Sequence, residues 1–139
     1  MSQSARDHQA SSPKALRCAV ITVSDTRTES TDTSGRAIAD LLQAAGHRVT
    51  GRAIMKDDPE LVRQLLERQL ASAEVQAIIL TGGTGITSRD TTYEAVSAML
   101  HKQLDGFGEL FRMLSYQEIG SAAMLSRAVA GLHSFGYVR

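Results

Sequence analysis

The chain has 139 residues, which is the size of one domain and enough to bury a hydrophobic core without disulfides or structural metals. Lys plus Arg equals Asp plus Glu at 15 each, so the formal charge is zero. This balance argues against a protein whose main task is to hold nucleic acid or an anionic membrane, and it leaves no charge repulsion against self-association. The single cysteine, Cys18, rules out an internal disulfide and is predicted to be a small buried residue.

The first 14 residues are polar and rich in Ser and Gln, and they predict a disordered leader over residues 1–14 with Pro13 near its end. One domain is then predicted over residues 15–139. The leader lacks the apolar core of a signal peptide, and no later run is long enough to span a bilayer. We therefore expect a cytoplasmic protein that contacts neither membrane nor nucleic acid.

The apolar run Leu16–Val23 predicts a central β-strand. Ser24 and Asp25 follow it directly. A carboxylate in this position lies at the ligand-binding edge of a doubly wound sheet, but an Asx turn would use the same residue. Both interpretations of Asp25 stay open at this point.

A helix capped by Asp32 or Ser34 is predicted to run to about Ala45, and Gly46 ends it. The next strand, His47–Met55, alternates apolar and polar residues, so it should lie beside the first strand and nearer an edge of the sheet.

The loop after that strand contains two consecutive carboxylates, Asp57 and Asp58. Asp58 is followed by Pro59, which is the pattern of an N-cap with proline at the first helical position. Capping explains Asp58 and predicts a helix over 59–72. It leaves Asp57, at the end of a strand, without a structural explanation.

The stretch Val75–Asp90 joins a short apolar run to a glycine-rich loop. Val75–Leu80 predicts a strand buried on both faces. The glycines after it allow positive φ and close approach of a ligand to the backbone, although such loops are also plain turns. Flanking threonines and the Arg89–Asp90 pair favour a phosphate site, and Thr91–Glu94 has the pattern of a capping box that opens a helix. The residues of this predicted site are Thr81, Gly82, Gly83, Thr84, Gly85 and Asp90.

A helix is predicted over about 92–104, followed by a loop in which Gly106 and Gly108 bracket a phenylalanine. The apolar stripe after it is more typical of core or oligomer packing than of binding, although the two glycines give the backbone freedom that a binding loop needs. Ile119–Gly131 predicts an Ala-rich helix. Its Arg127 either binds an anion or belongs to a solvated helix face.

The four histidines are scattered along the chain without the spacing of metal ligands. The remaining candidate chemistry consists of carboxylates, hydroxyls and backbone N–H groups around phosphate and Mg²⁺. The alternation of strands and helices predicts an α/β fold, a three-layer α/β/α sandwich with a mostly parallel central sheet.

The glycine loop with Arg89–Asp90 and Glu94–Ala95 resembles the signature of the molybdopterin-binding domain family, and within it the MoaB and MogA group. The segments Gly106–Arg112 and Ser126–Ala128 match further blocks of that family in the same order. The resemblance extends from about Leu16 to about Leu132. A flavodoxin-like mononucleotide binder would require this match to be accidental.

The resemblance implies adenylylation of molybdopterin with Mg²⁺ and ATP in molybdenum cofactor biosynthesis, by a homo-oligomer that is a trimer or hexamer. It implies Asp57 and Asp90 as catalytic residues and Mg²⁺ ligands. The implied substrate and phosphate ligands are Thr81, Gly82, Gly83, Thr84, Gly85, Ser24, Asp25, Gly106, Gly108 and Arg127.

The chain departs from the family pattern at Tyr93, where proline is common, and after Leu132. The family continues there with a strand, a Pro-Gly loop and a helix, so the domain is expected to be C-terminally truncated relative to the family. The Pro-Gly loop belongs to the nucleotide side of the family's site. The alternative function is therefore a non-catalytic protein of the same fold that binds molybdopterin for another enzyme.

Overall fold

The computed structural model describes residues 1–82 and 91–133. The helices are α1 Gln3–Ser11, α2 Thr33–Ala44, α3 Pro59–Ala71, α4 Thr91–Met99, α5 Asp105–Ile119 and a 3₁₀ helix Gly120–Leu125. The strands are β1 Arg17–Val23, β2 Arg48–Met55, β3 Ala77–Gly82, β4 Lys102–Gln103 and β5 Gly131–Leu132. No helix in these ranges is long and apolar enough to cross a membrane.

The first three strands form a parallel sheet in the order β2–β1–β3. Val23 at the end of β1 is paired with Met55 of β2 and with Gly82 of β3, so the three strands end at the same edge. β4 and β5 form a separate short antiparallel ribbon. The prediction that the second strand lies beside the first is confirmed.

The core lies on one face of this sheet, between β1 and helix α3. Ile21 and Val23 are buried there against α3, whose buried side chains are Val62, Leu65 and Leu66. Because successive side chains of a strand point to opposite faces, Thr22 faces the other side, where α2 packs against β1 and β2. Helices thus cover both faces, and the predicted three-layer α/β/α architecture is confirmed.

Two helix starts follow the predicted capping chemistry. Asp58 caps α3 by accepting hydrogen bonds from the N–H groups of Glu60 and Leu61 at 3.0 and 3.1 Å, with Pro59 at the first position. Asp32, one of the two candidates, caps α2 through Gly35 N–H.

Other elements differ from the sequence predictions. Residues 3–11 are helical where we expected a disordered leader, and α1 has no buried residue. β3 is half-buried rather than buried on both faces, because it is the outer strand of the described sheet. The predicted helix 92–104 ends at Met99, because the following residues enter the β4–β5 ribbon.

The helix predicted over Ile119–Gly131 is wrong. Gly120 adopts a φ of 66° at the end of α5, which a side chain would disfavour, and the chain continues as a 3₁₀ helix only to Leu125. Gly131 then pairs with Gln103 in the β4–β5 ribbon. Tertiary pairing therefore overrides the helix preference of this Ala-rich segment.

Candidate functional site

The polar residues that follow β1, β2 and β3 gather at one edge of the sheet. Ser24 and Asp25 follow β1, Asp57 follows β2, and Thr81 and Gly82 end β3. The carboxyl ends of parallel strands meet at this edge, which is where open α/β sheets bind ligands. The five predicted site residues just named therefore lie at the same edge of the sheet.

The structure joins the loops that carry Asp25 and Asp57. The backbone N–H of Asp57 donates to Oδ1 of Asp25 at 3.1 Å, and Ser24 N–H donates to the carbonyl of Met55 at 2.8 Å. Asp25 is exposed and Asp57 is half-buried. The loops after β1 and β2 are thus joined, with two negatively charged groups at their junction.

The hydroxyl of Ser24 has a local structural role. It accepts hydrogen bonds from the N–H groups of Thr26 and Arg27 at 3.2 and 3.0 Å, so it shapes the turn that leaves β1. Ser24 therefore acts at this edge by fixing the conformation of the turn that carries Asp25.

Gly82 ends β3 in a conformation that other residues rarely adopt, with φ of 96°. A Cβ at this position would lie 2.2 Å from the carbonyl oxygen of Val23, so the ends of β1 and β3 approach too closely for any side chain. The preceding Thr81 is half-buried and is paired with Thr22. The glycine loop thus leaves the sheet directly beside the β1 turn. Its remaining predicted residues, Gly83, Thr84, Gly85 and Asp90, lie outside the described residues.

Helix α4, Thr91–Met99, carries a buried hydroxyl in its first turn. Thr92 is 9% exposed, and its Oγ1 has no hydrogen-bond partner in the described part of the chain. A buried polar atom without a partner is uncommon, and the N-terminus of a helix attracts anions. The start of α4 therefore combines two features that suit a phosphate group.

Arg127 lies against the first two turns of α4. Its Nη2 is 2.9 Å from Oε1 of Glu94, and its Cζ is 4.4 Å from the centre of the Tyr93 ring. Tyr93, the departure from the family pattern, is thus the aromatic partner of this guanidinium. Arg127 follows the 3₁₀ helix rather than lying on the predicted helix, and its anion-binding role stays a prediction.

Gly106 and Gly108 lie in the first turns of α5, so the prediction of a flexible glycine loop is wrong in its geometry. A Cβ on Gly108 would lie 2.8 Å from the carbonyl of Ala128, whereas a Cβ on Gly106 would meet nothing within 4 Å. Gly108 therefore permits close packing of α5 on the segment that carries Arg127.

A buried ionic cluster around Asp32 was not predicted from the sequence beyond its capping role. Asp32 Oδ2 is 3.0 Å from Arg52 Nη2, and both carboxylate oxygens accept from the Thr22 hydroxyl at 2.9 and 3.0 Å. Burial by itself raises the pKa of Asp32, but hydrogen bonds from Gly35, Thr22 and Arg52, with the Arg52 charge, lower it overall. Asp32 is therefore an ionised carboxylate within the fold.

The family model for the probable molybdopterin binding domain matches residues 19–136. The chain belongs to this family. The resemblance noted in the sequence is thereby confirmed.

Relatives in this family are similar over most of the chain. A molybdenum cofactor biosynthesis protein B from Bacillus anthracis is 53% identical over 129 residues, which are 92% of this chain and 76% of the relative. The crystal structure of a molybdenum cofactor biosynthesis protein B has a TM-score of 0.83 and 54% identity, covering 88% of this chain and 76% of that one. The tungsten cofactor synthesizing protein MoaB from Pyrococcus furiosus has a TM-score of 0.79 and 36% identity, covering 90% and 78%.

The donor atoms of this molybdopterin-binding domain are compatible with Mg²⁺. Carboxylate oxygens are hard donors, and Mg²⁺ is usually held by one or two carboxylates together with water and substrate phosphates. Asp25 and Asp57 lie in adjoining loops at one edge, and each carries such a carboxylate. Within residues 1–82 and 91–133 no three His, Cys, Asp or Glu side chains are arranged as a complete metal site.

Proposed function

We propose that this chain acts in molybdenum cofactor biosynthesis by binding molybdopterin and adenylylating it with Mg²⁺ and ATP. Family membership and the names of its relatives support the pathway. The single structural observation that supports the reaction is the contact between Asp57 N–H and Asp25 Oδ1 beside the end of β3. It holds the Asp25 carboxylate against the loop that carries Asp57, at the sheet edge where β3 ends in Gly82.

The proposed reaction transfers a nucleotidyl group. An oxygen of the terminal phosphate of molybdopterin attacks the α-phosphate of ATP, the bond to the β-phosphate breaks, and pyrophosphate leaves. Such transfers depend on positioning of the reactants and on neutralisation of phosphate charge more than on covalent catalysis by the protein. A site built from backbone N–H groups, hydroxyls and carboxylates meets these requirements.

Each residue has a role in this proposal. Asp57 and Asp90 would hold Mg²⁺, directly or through water, and the ion would neutralise phosphate charge and orient the reacting oxygens. Asp25 keeps its contact with Asp57 and lines the same edge with Ser24. The phosphate-binding groups are the backbone of Gly82–Gly85, the hydroxyls of Thr81 and Thr84, and the first turn of α4 with the Thr92 hydroxyl. Arg127, Gly106 and Gly108 are proposed to line the substrate side.

The test is direct detection of the product. The chain is incubated with molybdopterin and Mg-ATP, the mixture is denatured, and the adenylylated pterin is sought by mass spectrometry. Asp57→Asn and Asp90→Asn are expected to abolish product without unfolding the protein. Asp40→Asn is the matched control, because Asp40 is an exposed carboxylate on α2, away from the strand ends.

The outcomes separate catalysis from binding. Product from the parent chain and from Asp40→Asn, with none from the two site variants, supports the adenylyltransferase. Molybdopterin binding without product in any variant would overturn the catalytic proposal and favour the non-catalytic binding protein. Equal turnover in the Asp57 and Asp90 variants would remove these carboxylates from the mechanism.

The proposal includes a cytoplasmic homo-oligomer, a trimer or a hexamer. Its support is the exposed apolar surface of α5 and the 3₁₀ helix, called the α5 face below, on which large side chains are exposed within the described structure. These are Phe107, Leu110, Phe111, Met113, Leu114, Tyr116, Ile119, Met124 and Leu125. A neutral chain with an apolar surface of this kind favours contact with a second copy of itself. Sedimentation equilibrium measures the mass, and a monomer at all concentrations would overturn this part.

A further inference from the structure

The loop between β1 and α2 carries Asp25 and is closed at its base by buried polar groups. It leaves β1 after Val23 and enters α2 at its cap, Asp32. Thr22 near the end of β1 donates its hydroxyl to the Asp32 carboxylate at 2.9 Å. One hydrogen bond therefore joins the two ends of the segment 24–31.

Asp32 is also held from a third element. Arg52 of β2 donates to its Oδ2 at 3.0 Å, and Gly35 N–H of α2 donates to its Oδ1 at 3.0 Å. The Asp32 carboxylate thus has partners on β1, β2 and α2. A Cβ on Gly35 would lie 2.2 Å from Asp32 Oδ2, so the packing around this carboxylate leaves no room for a side chain there.

This arrangement is an inefficient way to stabilise a fold. Asp32 is 3% exposed and Thr22 is 5% exposed, and removing such groups from water is unfavourable even when they are paired. Capping of α2 explains the hydrogen bond from Gly35 N–H, but it does not require the further bonds from Thr22 and Arg52. The property that the polar cluster adds is direction, since each hydrogen bond fixes an angle as well as a distance.

The loop that begins at this cluster carries the Asp25 carboxylate and its contact with Asp57. Three residues after Thr22, Asp25 accepts the hydrogen bond from Asp57 N–H at 3.1 Å. Between them, the Ser24 hydroxyl holds the turn through Thr26 and Arg27. The segment that carries Asp25 is thus held both at its base and at its turn.

We propose that Asp32, with Thr22 and Arg52, is a positioning group that holds the 24–31 loop so that Asp25 stays in contact with Asp57. Its effect on turnover rests on the proposed function, whereas its effect on the Asp25–Asp57 contact does not. The three residues act through Asp25 and need not touch the substrate.

The direct test is amide hydrogen exchange of Asp57 measured by NMR, because this N–H is the donor to Asp25. Thr22→Val removes the buried hydroxyl while keeping the shape of the side chain, and Thr22→Ser keeps the hydroxyl. We expect exchange at Asp57 to be severalfold faster in Thr22→Val and close to the parent value in Thr22→Ser. Faster exchange is also expected at Arg27, whose N–H is held by the turn.

The matched control is Thr50→Val. The Thr50 hydroxyl also links β2 to β1, by donating to the carbonyl of Cys18 at 3.2 Å, but at the opposite end of the strand. Its loss should leave exchange at Asp57 unchanged. Arg52→Met, which breaks the ion pair from a partly exposed side chain, should act like Thr22→Val.

A double-mutant cycle separates positioning from general destabilisation. Thr22→Val should add no further acceleration at Asp57 once Asp25→Ala has removed the acceptor. If the parent is an adenylyltransferase, Thr22→Val should lower kcat/KM on the order of tenfold, and this loss should also vanish in the Asp25→Ala background.

The outcomes distinguish the two proposals. Unchanged exchange at Asp57 in Thr22→Val and Arg52→Met would overturn the positioning role whatever the activity. Additive effects of Thr22→Val and Asp25→Ala would show that the cluster only stabilises the fold, and they would also overturn the positioning role. A parent chain without turnover, combined with coupled exchange at Asp57, would overturn the catalytic function while supporting the positioning role.

Discussion

Strand β1 and helix α5 are both rich in apolar residues, yet their surroundings are opposite. From Cys18 to Val23, every residue of β1 is at most 5% exposed, because strands lie on both sides and helices cover both faces. Helix α5 has no buried residue, and Leu110 on it is 60% exposed. Apolar content alone therefore does not decide which segment forms the core.

Contacts within a single chain bury the central strand of the sheet, but they leave the α5 face exposed. Large contiguous apolar surfaces are uncommon on monomers and mark interaction sites. The four predictions below test this comparison, beginning with the largest expected effect.

Ile21→Ala should be strongly destabilising, whereas Leu110→Ala should not. Ile21 is 1% exposed against α3, and truncation of a buried Ile lowers the free energy of unfolding by about 3–4 kcal/mol. Leu110→Ala should change the free energy of unfolding of the isolated chain by less than about 1 kcal/mol. Urea denaturation at low protein concentration measures both, and equal losses would contradict the contrast.

Gly35→Ala and Gly106→Ala should have opposite signs. The new Cβ at Gly35 would lie 2.2 Å from Asp32 Oδ2 and 2.5 Å from Thr22 Oγ1, so overpacking should lower the free energy of unfolding by about 2 kcal/mol. Gly106 lies in α5 with open space around it, and alanine there should raise the free energy of unfolding by about 0.5–1 kcal/mol. Urea denaturation with linear extrapolation measures both changes in the free energy of unfolding. An unchanged free energy of unfolding in Gly35→Ala would mean that the cluster around Asp32 can rearrange.

Leu110→Glu should weaken self-association at least about tenfold, because a charge would be buried at the proposed contact between copies. Gln117→Glu is the control, since it places a carboxylate at an exposed polar position on the same helix. Sedimentation velocity over a concentration series measures the association. Unchanged association in Leu110→Glu would show that the α5 face is not the contact.

The smallest effect concerns pH. Asp32 has a lowered pKa in the folded chain, so below the unfolded value of about 4 the unfolded state binds more protons than the folded state. The contribution of Asp32 is therefore fully present above about pH 4 and is lost as pH falls through the folded pKa. Thr22→Val removes one of the hydrogen bonds that lower the pKa of Asp32. The free energy of unfolding of this variant should therefore fall less steeply in acid than that of the parent chain. Urea midpoints between pH 5 and pH 2.5 measure the slope, and identical slopes would contradict the assignment to Asp32.

Much of the fold could be predicted where local chemistry and periodicity agree. β1 is identifiable as an uninterrupted apolar run, and the start of α3 from Asp58 followed by Pro59. Asp25 could be assigned to the ligand-binding edge of the sheet because it directly follows the central strand. Its contact with the Asp57 N–H arises because β1 and β2 are parallel neighbours that end together.

Other features depend on partners distant in sequence. Gly106 and Gly108 looked like a loop, but Gly108 packs against Ala128 and both glycines are helical. Asp32 was recognisable as a cap, whereas its partners on β1 and β2 lie 10 and 20 residues away. No local pattern connects residues at such separations without the strand register.

The sequence by itself determined the family, the α/β class and the set of polar residues at the strand ends, because these depend on local pattern and chain order. Only the tertiary structure decided that Asp32 is buried among Thr22, Gly35 and Arg52, and that the apolar face of α5 is exposed. The physical reason is that burial and the pairing of charges are properties of neighbours in space. Those neighbours are brought together by the parallel sheet and its helices rather than by their order in the chain.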